Sequence, residues 1–149
     1  ETVTRASFCV LAQKREDSFQ FVPAFFNLLI FLIAELLILN LIMEAKIKNA
    51  AQRTKQEVPY GSDHVTFLKN FCKQLDKETD VSYQRERTFS WGTPDVFINA
   101  YGPVEIISKT NGIDQHDREQ AQKYANGSSQ KSTLISFGTH SETPIYQTF

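Results

Sequence analysis

Between Phe21 and Met43 the chain is almost wholly apolar, rich in Leu, Ile and Phe, with Asn27, Glu35 and Asn40 the polar interruptions. A helix that is apolar all round must be surrounded by apolar material, so this run constrains the chain more than any other stretch. About 23 residues of helix cover ~34 Å, enough to cross a hydrocarbon core of ~30 Å. Some sixteen large aliphatic and Phe side chains contribute roughly −5 to −10 kcal/mol to insertion, against about +3 for a charged Glu35 and less for each Asn. The balance favours a single membrane span. Lys46, Lys48, Arg53 and Lys55 follow the run, whereas Lys14 and Arg15 before it stand next to two acids. That asymmetry places the C-terminal part on the cytoplasmic side. The same pattern also fits a helix buried in protein, in a homo-oligomer or against a protein partner, where Glu35 is better tolerated than in lipid. A cleaved signal peptide fits less well, because its apolar region is normally shorter and nearer the N-terminus. The chain starts on Glu1 rather than methionine, so its first residues are expected to be truncated or processed.

The 149 residues amount to one domain beyond that helix. With 16 basic and 17 acidic residues the net charge is near zero, which argues against avid, sequence-independent binding of polyanions. Cys9 and Cys72 match no ligand or redox spacing, and His64, His116 and His140 form no metal-ligand cluster in sequence. Cys72 falls on the apolar face of a predicted helix and reads as a buried thiol in a reducing compartment.

Residues 1–57 read as an N-terminal arm. Glu44 to Glu57 is a polar, helix-favouring continuation of the apolar run, ended by Val58-Pro59-Tyr60-Gly61. A globular domain over 58–149 follows, small but adequate for a minimal α/β core. Ser62 or Asp63 can cap a helix reaching about Lys77, with Phe67, Leu68, Phe71, Cys72 and Leu75 as a stripe facing a sheet. His64 lies one turn before Leu68. It is either a functional group or a half-buried helix-start residue with a local hydrogen bond. Asp80 to Trp91 reads as a strand; Arg85 and Arg87 on it either contact phosphate or form a solvated face split by Glu86.

Chemistry concentrates between Gly92 and Tyr124. Asp95 opens a strand-like segment to Asn99, a Tyr-Gly-Pro turn reverses the chain, and Val104 to Lys109 can pair antiparallel beside it. Alternation puts Glu105, Ile107 and Lys109 on one face and Val104, Ile106 and Ser108 on the other. Two carboxylates brought together in a core call for a positive partner such as a divalent metal. A helix from Asp114 to Ala125, ending at Asn126-Gly127, carries Gln120, Ala121, Tyr124 and Ala125 on one face. Gln120 and Tyr124 are either substrate-side groups or a surface residue and a packing residue. Ser132 to Phe137 makes a further strand, and the tail through Pro144 reads as irregular.

The Pro94-Asp95 pair, the acidic Glu105 on the next strand, Lys109 beyond it and the Gln120-x-x-x-Tyr124 step resemble the PD-(D/E)XK nuclease superfamily, in its RecB-like branch. The resemblance covers roughly the last two thirds of the chain. It implies an α/β, restriction-endonuclease-like αβββαβ core with a mixed central sheet, preceded here by the long apolar helix. It further implies a nuclease that hydrolyses phosphodiester bonds, of DNA more than of RNA, with Asp95, Glu105 and Lys109 catalytic. His64, Asp95 and Glu105 would be ligands of Mg²⁺ or Mn²⁺, and Gln120, Tyr124, Arg85 and Arg87 would bind substrate. The sequence departs from the motif at one place: Ile107 stands two after Glu105, and the first lysine, Lys109, lies about 7 Å further along the strand. The alternative is an inactive nuclease-fold module that binds nucleic acid or a protein partner.

Overall fold

The structure, a computed structural model, describes residues 2–149, with side chains from Val22 onward; Cys9 lies outside the described side chains. A single helix, α1 (Thr2–Glu57), takes in the apolar run and its polar continuation, with Pro23 inside it. From Val22 to Ile42 its large apolar side chains are 42–68% exposed. The chain itself buries none of the most apolar window, whose mean hydropathy is 2.5. Burial in the chain's own core is thereby set aside.

The chain divides into two compact units, Glu1–Leu39 and Asn40–Phe149. The second contains the last turns of α1, then α2 (His64–Leu75), β1 (Tyr83–Arg85), β2 (Val96–Ile98), β3 (Gly102–Ile107), α3 (Gln115–Ser128), β4 (Thr133–Ser136) and β5 (Ile145–Thr148). The strands form one mixed sheet in sequence order. β1, β2 and β3 run antiparallel to one another, β4 pairs parallel to β3 after the α3 crossover, and β5 returns antiparallel beside β4. The architecture is mixed α/β.

Apolar periodicity explains the layers. Val96, Ile98, Val104, Ile106, Ile135 and Phe137 share one core with Phe67, Leu68, Phe71 and Leu75 of α2 and with Ile47, Ala50 and Ala51 of α1. Ile107 and Leu134 pack with Ala121 of α3 in a second cluster. β3 is buried along its whole length, which is why its sequence is a continuous apolar run broken by Glu105 alone. Asp63 is the cap of α2, its side chain accepting from the Thr66 N–H at 2.7 Å. Cys72 is a buried free thiol whose pKa burial pushes up to about 11.

Three sequence expectations are corrected. The strand read over Asp80 to Trp91 shrinks to Tyr83–Arg85, because Glu86 adopts a left-handed φ of 49° that ends the ladder. Helix α3 passes through Asn126 and Gly127 and ends with Ser129 in the left-handed conformation, φ 55°. The tail through Pro144 is irregular, as expected, and Ile145–Thr148 beyond it gains a full antiparallel ladder on β4. The core also begins before residue 58: Ile47, Ala50, Ala51 and Thr54, from the expected arm, are at most 1% exposed.

Candidate active site

The β2–β3 register, Val96 opposite Val104, brings Asp95 alongside Glu105. The Asp95 N–H donates to Glu105 Oε1 at 3.2 Å, and the Ile106 N–H donates to Asp95 Oδ2 at 2.8 Å. The other oxygen, Asp95 Oδ1, lies 3.0 Å from His64 Nε2, delivered by the first turn of α2. His64, Asp95 and Glu105, three sequence-expected site residues, are therefore brought together. Glu105 is buried, and burial, reinforced by the charge of Asp95, pushes its carboxyl up to about 9. The hydrogen bond with Asp95 raises the His64 pKa. Among the described residues, no Lys or Arg forms an ion pair with Asp95 or Glu105.

Strand β3 ends at Ile107, and Lys109 lies two residues beyond it. Its ammonium lies 2.6 Å from Asp114 Oδ2 and 2.8 Å from Asp117 Oδ1, at the start of α3. These acids cap α3 reciprocally: the Asp117 N–H donates to Asp114 Oδ1 and the Asp114 N–H to Asp117 Oδ2, each at 3.0 Å. Asp117 is buried, and its charge also acts to raise the pKa of Glu105. The sequence reading missed Asp114 and Asp117, although an acidic pair three residues apart at a helix start was the available signal.

Gln120 and Tyr124 are brought together on α3, with Gln120 Nε2 donating to the Tyr124 hydroxyl at 2.8 Å. That hydroxyl donates in turn to the Thr93 carbonyl at 3.2 Å, so the helix holds the loop that carries Pro94 and Asp95. The two also line an open cavity of about 360 Å³ together with His116, Glu119 and Lys123. Neither Arg85 nor Arg87 forms an ion pair with Asp95 or Glu105. Arg85 pairs with Glu86 at 3.0 Å, and Arg87 donates to Gln84 Oε1 and lies over the Phe89 ring.

Among the described residues, no group of three or more His, Cys, Asp or Glu side chains is placed to hold a metal ion. His64 and Glu105 each meet Asp95 rather than converging on one point. The donor chemistry of the Asp95–Glu105 pair nevertheless fits a hard divalent cation: two carboxylates, one buried, meet with an imidazole beside them and no lysine or arginine paired to either. Comparison with protein-family models, with curated proteins and with solved structures finds no match to the chain.

Proposed function

We propose that the protein is a metal-dependent nuclease of the PD-(D/E)XK type, with a restriction-endonuclease-like core built from α2, β1, β2, β3, α3 and β4. The carrying observation is the Asp95–Glu105 pair. A buried carboxylate next to a second one, at the end of two paired strands, is costly to ionise unless a cation binds there. The order helix, three strands, helix, strand supports the same reading.

Asp95 and Glu105 would hold Mg²⁺ or Mn²⁺, with His64 Nε2 as the adjoining third donor. Bound there, the cation would supply Lewis acidity toward a phosphodiester and activate water for its hydrolysis. The chain's own residues do the positioning. The Ile106 N–H fixes Asp95 Oδ2, so the carboxylate is held in one orientation. Gln120 and Tyr124 brace the Thr93 carbonyl two residues before Asp95. Lys109, held by Asp114 and Asp117, places a positive charge at the α3 end of the site, where an attacked phosphate needs one. The exposed Val22–Ile42 run would anchor the protein in a membrane as a single span, with Asn40–Phe149 on the cytoplasmic side by the excess of Lys46 and Lys48.

One observation favours the second reading, an inactive nuclease-fold module that binds nucleic acid or a protein partner. The ammonium of Lys109, the first lysine after Glu105, is taken up by Asp114 and Asp117. Calorimetric titration with Mn²⁺, run beside cleavage of labelled DNA, decides between them. The nuclease reading expects a binding heat and cleavage that both vanish in Asp95→Ala and in Glu105→Ala. Cleavage unchanged in both variants rejects this site, and absence of both heat and cleavage in the unaltered protein leaves the binding module.

A further inference from the structure

Aromatic rings run in contact from the sheet edge to α3. Phe89 and Trp91 stack with centroids 4.6 Å apart and planes 7° from parallel. Phe97 tilts against both at 4.9 and 6.3 Å, and Trp91 meets Tyr124 edge-on at 5.3 Å. Phe89, Trp91 and Phe97 are only half-buried. The local backbone is shaped around them. A paired bridge between Phe89 and Gly92 closes a tight turn, with N–H to carbonyl distances of 2.8 and 3.2 Å. A Cβ on Gly127 would collide with Trp91, and one on Gly92 with the Tyr124 ring. Both glycines therefore seat rings that a side chain would displace.

One cation, Arg87, lies over the rings, and the rings lead toward the carboxylates. The Arg87 guanidinium lies 5.1 Å from the Phe89 centroid. Tyr124, at the other end, opens onto the 360 Å³ cavity lined also by His116, Glu119, Gln120 and Lys123. Tyr124, in contact with Trp91, also donates to the Thr93 carbonyl two residues before Asp95, which ties the rings to the carboxylate pair.

We propose that Phe89, Trp91 and Phe97 form a stacking platform for the unpaired bases of a single-stranded nucleic acid. The platform selects the strand that the adjoining carboxylate pair cleaves, and this selecting role rests on the nuclease reading. Phe89, held between Trp91 and the Arg87 guanidinium, orders the platform, and the half-open surface of Trp91 and Phe97 is left for the face of a base, which a duplex hides in its own stack. Arg87 complements the phosphates on either side of a stacked base. A chain with net charge −1 gains little from counterion release, so stacking has to supply most of the affinity.

Trp91 is the single tryptophan, which makes its emission a direct reporter. The full chain in detergent micelles, with EDTA present, is titrated with an oligothymidylate. Saturable quenching of Trp91 is expected, with affinity roughly 5- to 150-fold weaker in Phe89→Leu and retained in Phe89→Tyr. An abasic strand and a duplex of equal length should each bind at least roughly tenfold more weakly. Unquenched emission, or equal affinity for the abasic strand, overturns the platform. Cleavage assays with Mn²⁺ separate this result from the fate of the nuclease reading. Quenching without any metal-dependent cleavage keeps the platform and removes its role in selecting a cleaved strand. Cleavage that depends on Asp95 but is equal in Phe89→Leu, on single and double strands alike, removes the platform and leaves the nuclease.

Discussion

Glu105 sets the chemistry of the site and also makes the protein's stability depend on pH. Its carboxyl is held up to about 9 in the folded protein by burial and by Asp95, against an unfolded value of 4.5. The folded state therefore binds the Glu105 proton more tightly than the unfolded state does. The contribution is complete below about pH 4.5 and is lost as pH rises through about 9. Melting followed by circular dichroism in EDTA should thus give a Tm that falls between pH 5 and 9, a slope that Glu105→Gln flattens. Mn²⁺ should flatten it as well, since a cation favours the ionised pair; a slope indifferent to Mn²⁺ would count against metal at this pair. Lys109 makes a separate contribution. Its loss in Lys109→Met leaves the buried Asp117 without a counter-ion, whereas Lys109→Arg keeps the charge. We expect about 1 kcal/mol of destabilisation for the half-exposed pair, and a roughly tenfold or larger loss of cleavage rate, each partly restored by Arg. Matched melting curves and initial rates of the two variants read this directly.

At the scale of elements, α2 is the clearest case of pattern becoming packing. Its stripe turns to the sheet, and Phe71, fully buried, packs against Phe137 with centroids 6.1 Å apart. Phe71→Ala should cost about 3–5 kcal/mol, read as a lowered midpoint in urea with an unchanged slope. Where a single face is apolar, as in α2, or where a Pro-Asp step and a Tyr-Gly-Pro turn bound two short apolar runs, as in β2 and β3, local chemistry was enough to place the element. The pairing of Asp95 with Glu105 was legible for the same reason, because the turn fixes the register. What was illegible depended on partners distant in sequence. β5 has no strong pattern of its own and exists by pairing with β4. The bonds of Lys109 to Asp114 and Asp117 were illegible too, because alternation along β3 contains no information about a helix start. The Gly127 stop signal was overridden because that glycine is needed inside α3 to admit Trp91.

The division of the whole molecule makes a further prediction that a truncation series can decide. The Pro59–Gly61 break is the strongest boundary in the sequence, yet a fragment cut there would lack Ile47, Ala50, Ala51 and Thr54. Those residues cover the same sheet face as Phe67, Phe71 and Leu75. Their removal would open a strip of core to water and also strip Arg53 from its bonds to Gln74 and Glu78. Lys55, which donates to the Phe137 and Thr139 carbonyls at 2.5 and 2.6 Å, would go with them. Losing these side chains and exposing the core surface they cover takes away a large part of the 5–15 kcal/mol by which domains are typically stable. Residues 58–149 are therefore expected to aggregate or to lack a cooperative melting transition. Residues 40–149 keep the whole core and discard most of the exposed apolar run, so they should melt cooperatively and stay soluble without detergent, whereas the full chain should require it. Cooperative folding of 58–149 would place α1 outside the core, and a detergent-free, monodisperse full chain would exclude lipid as the cover of Val22–Ile42.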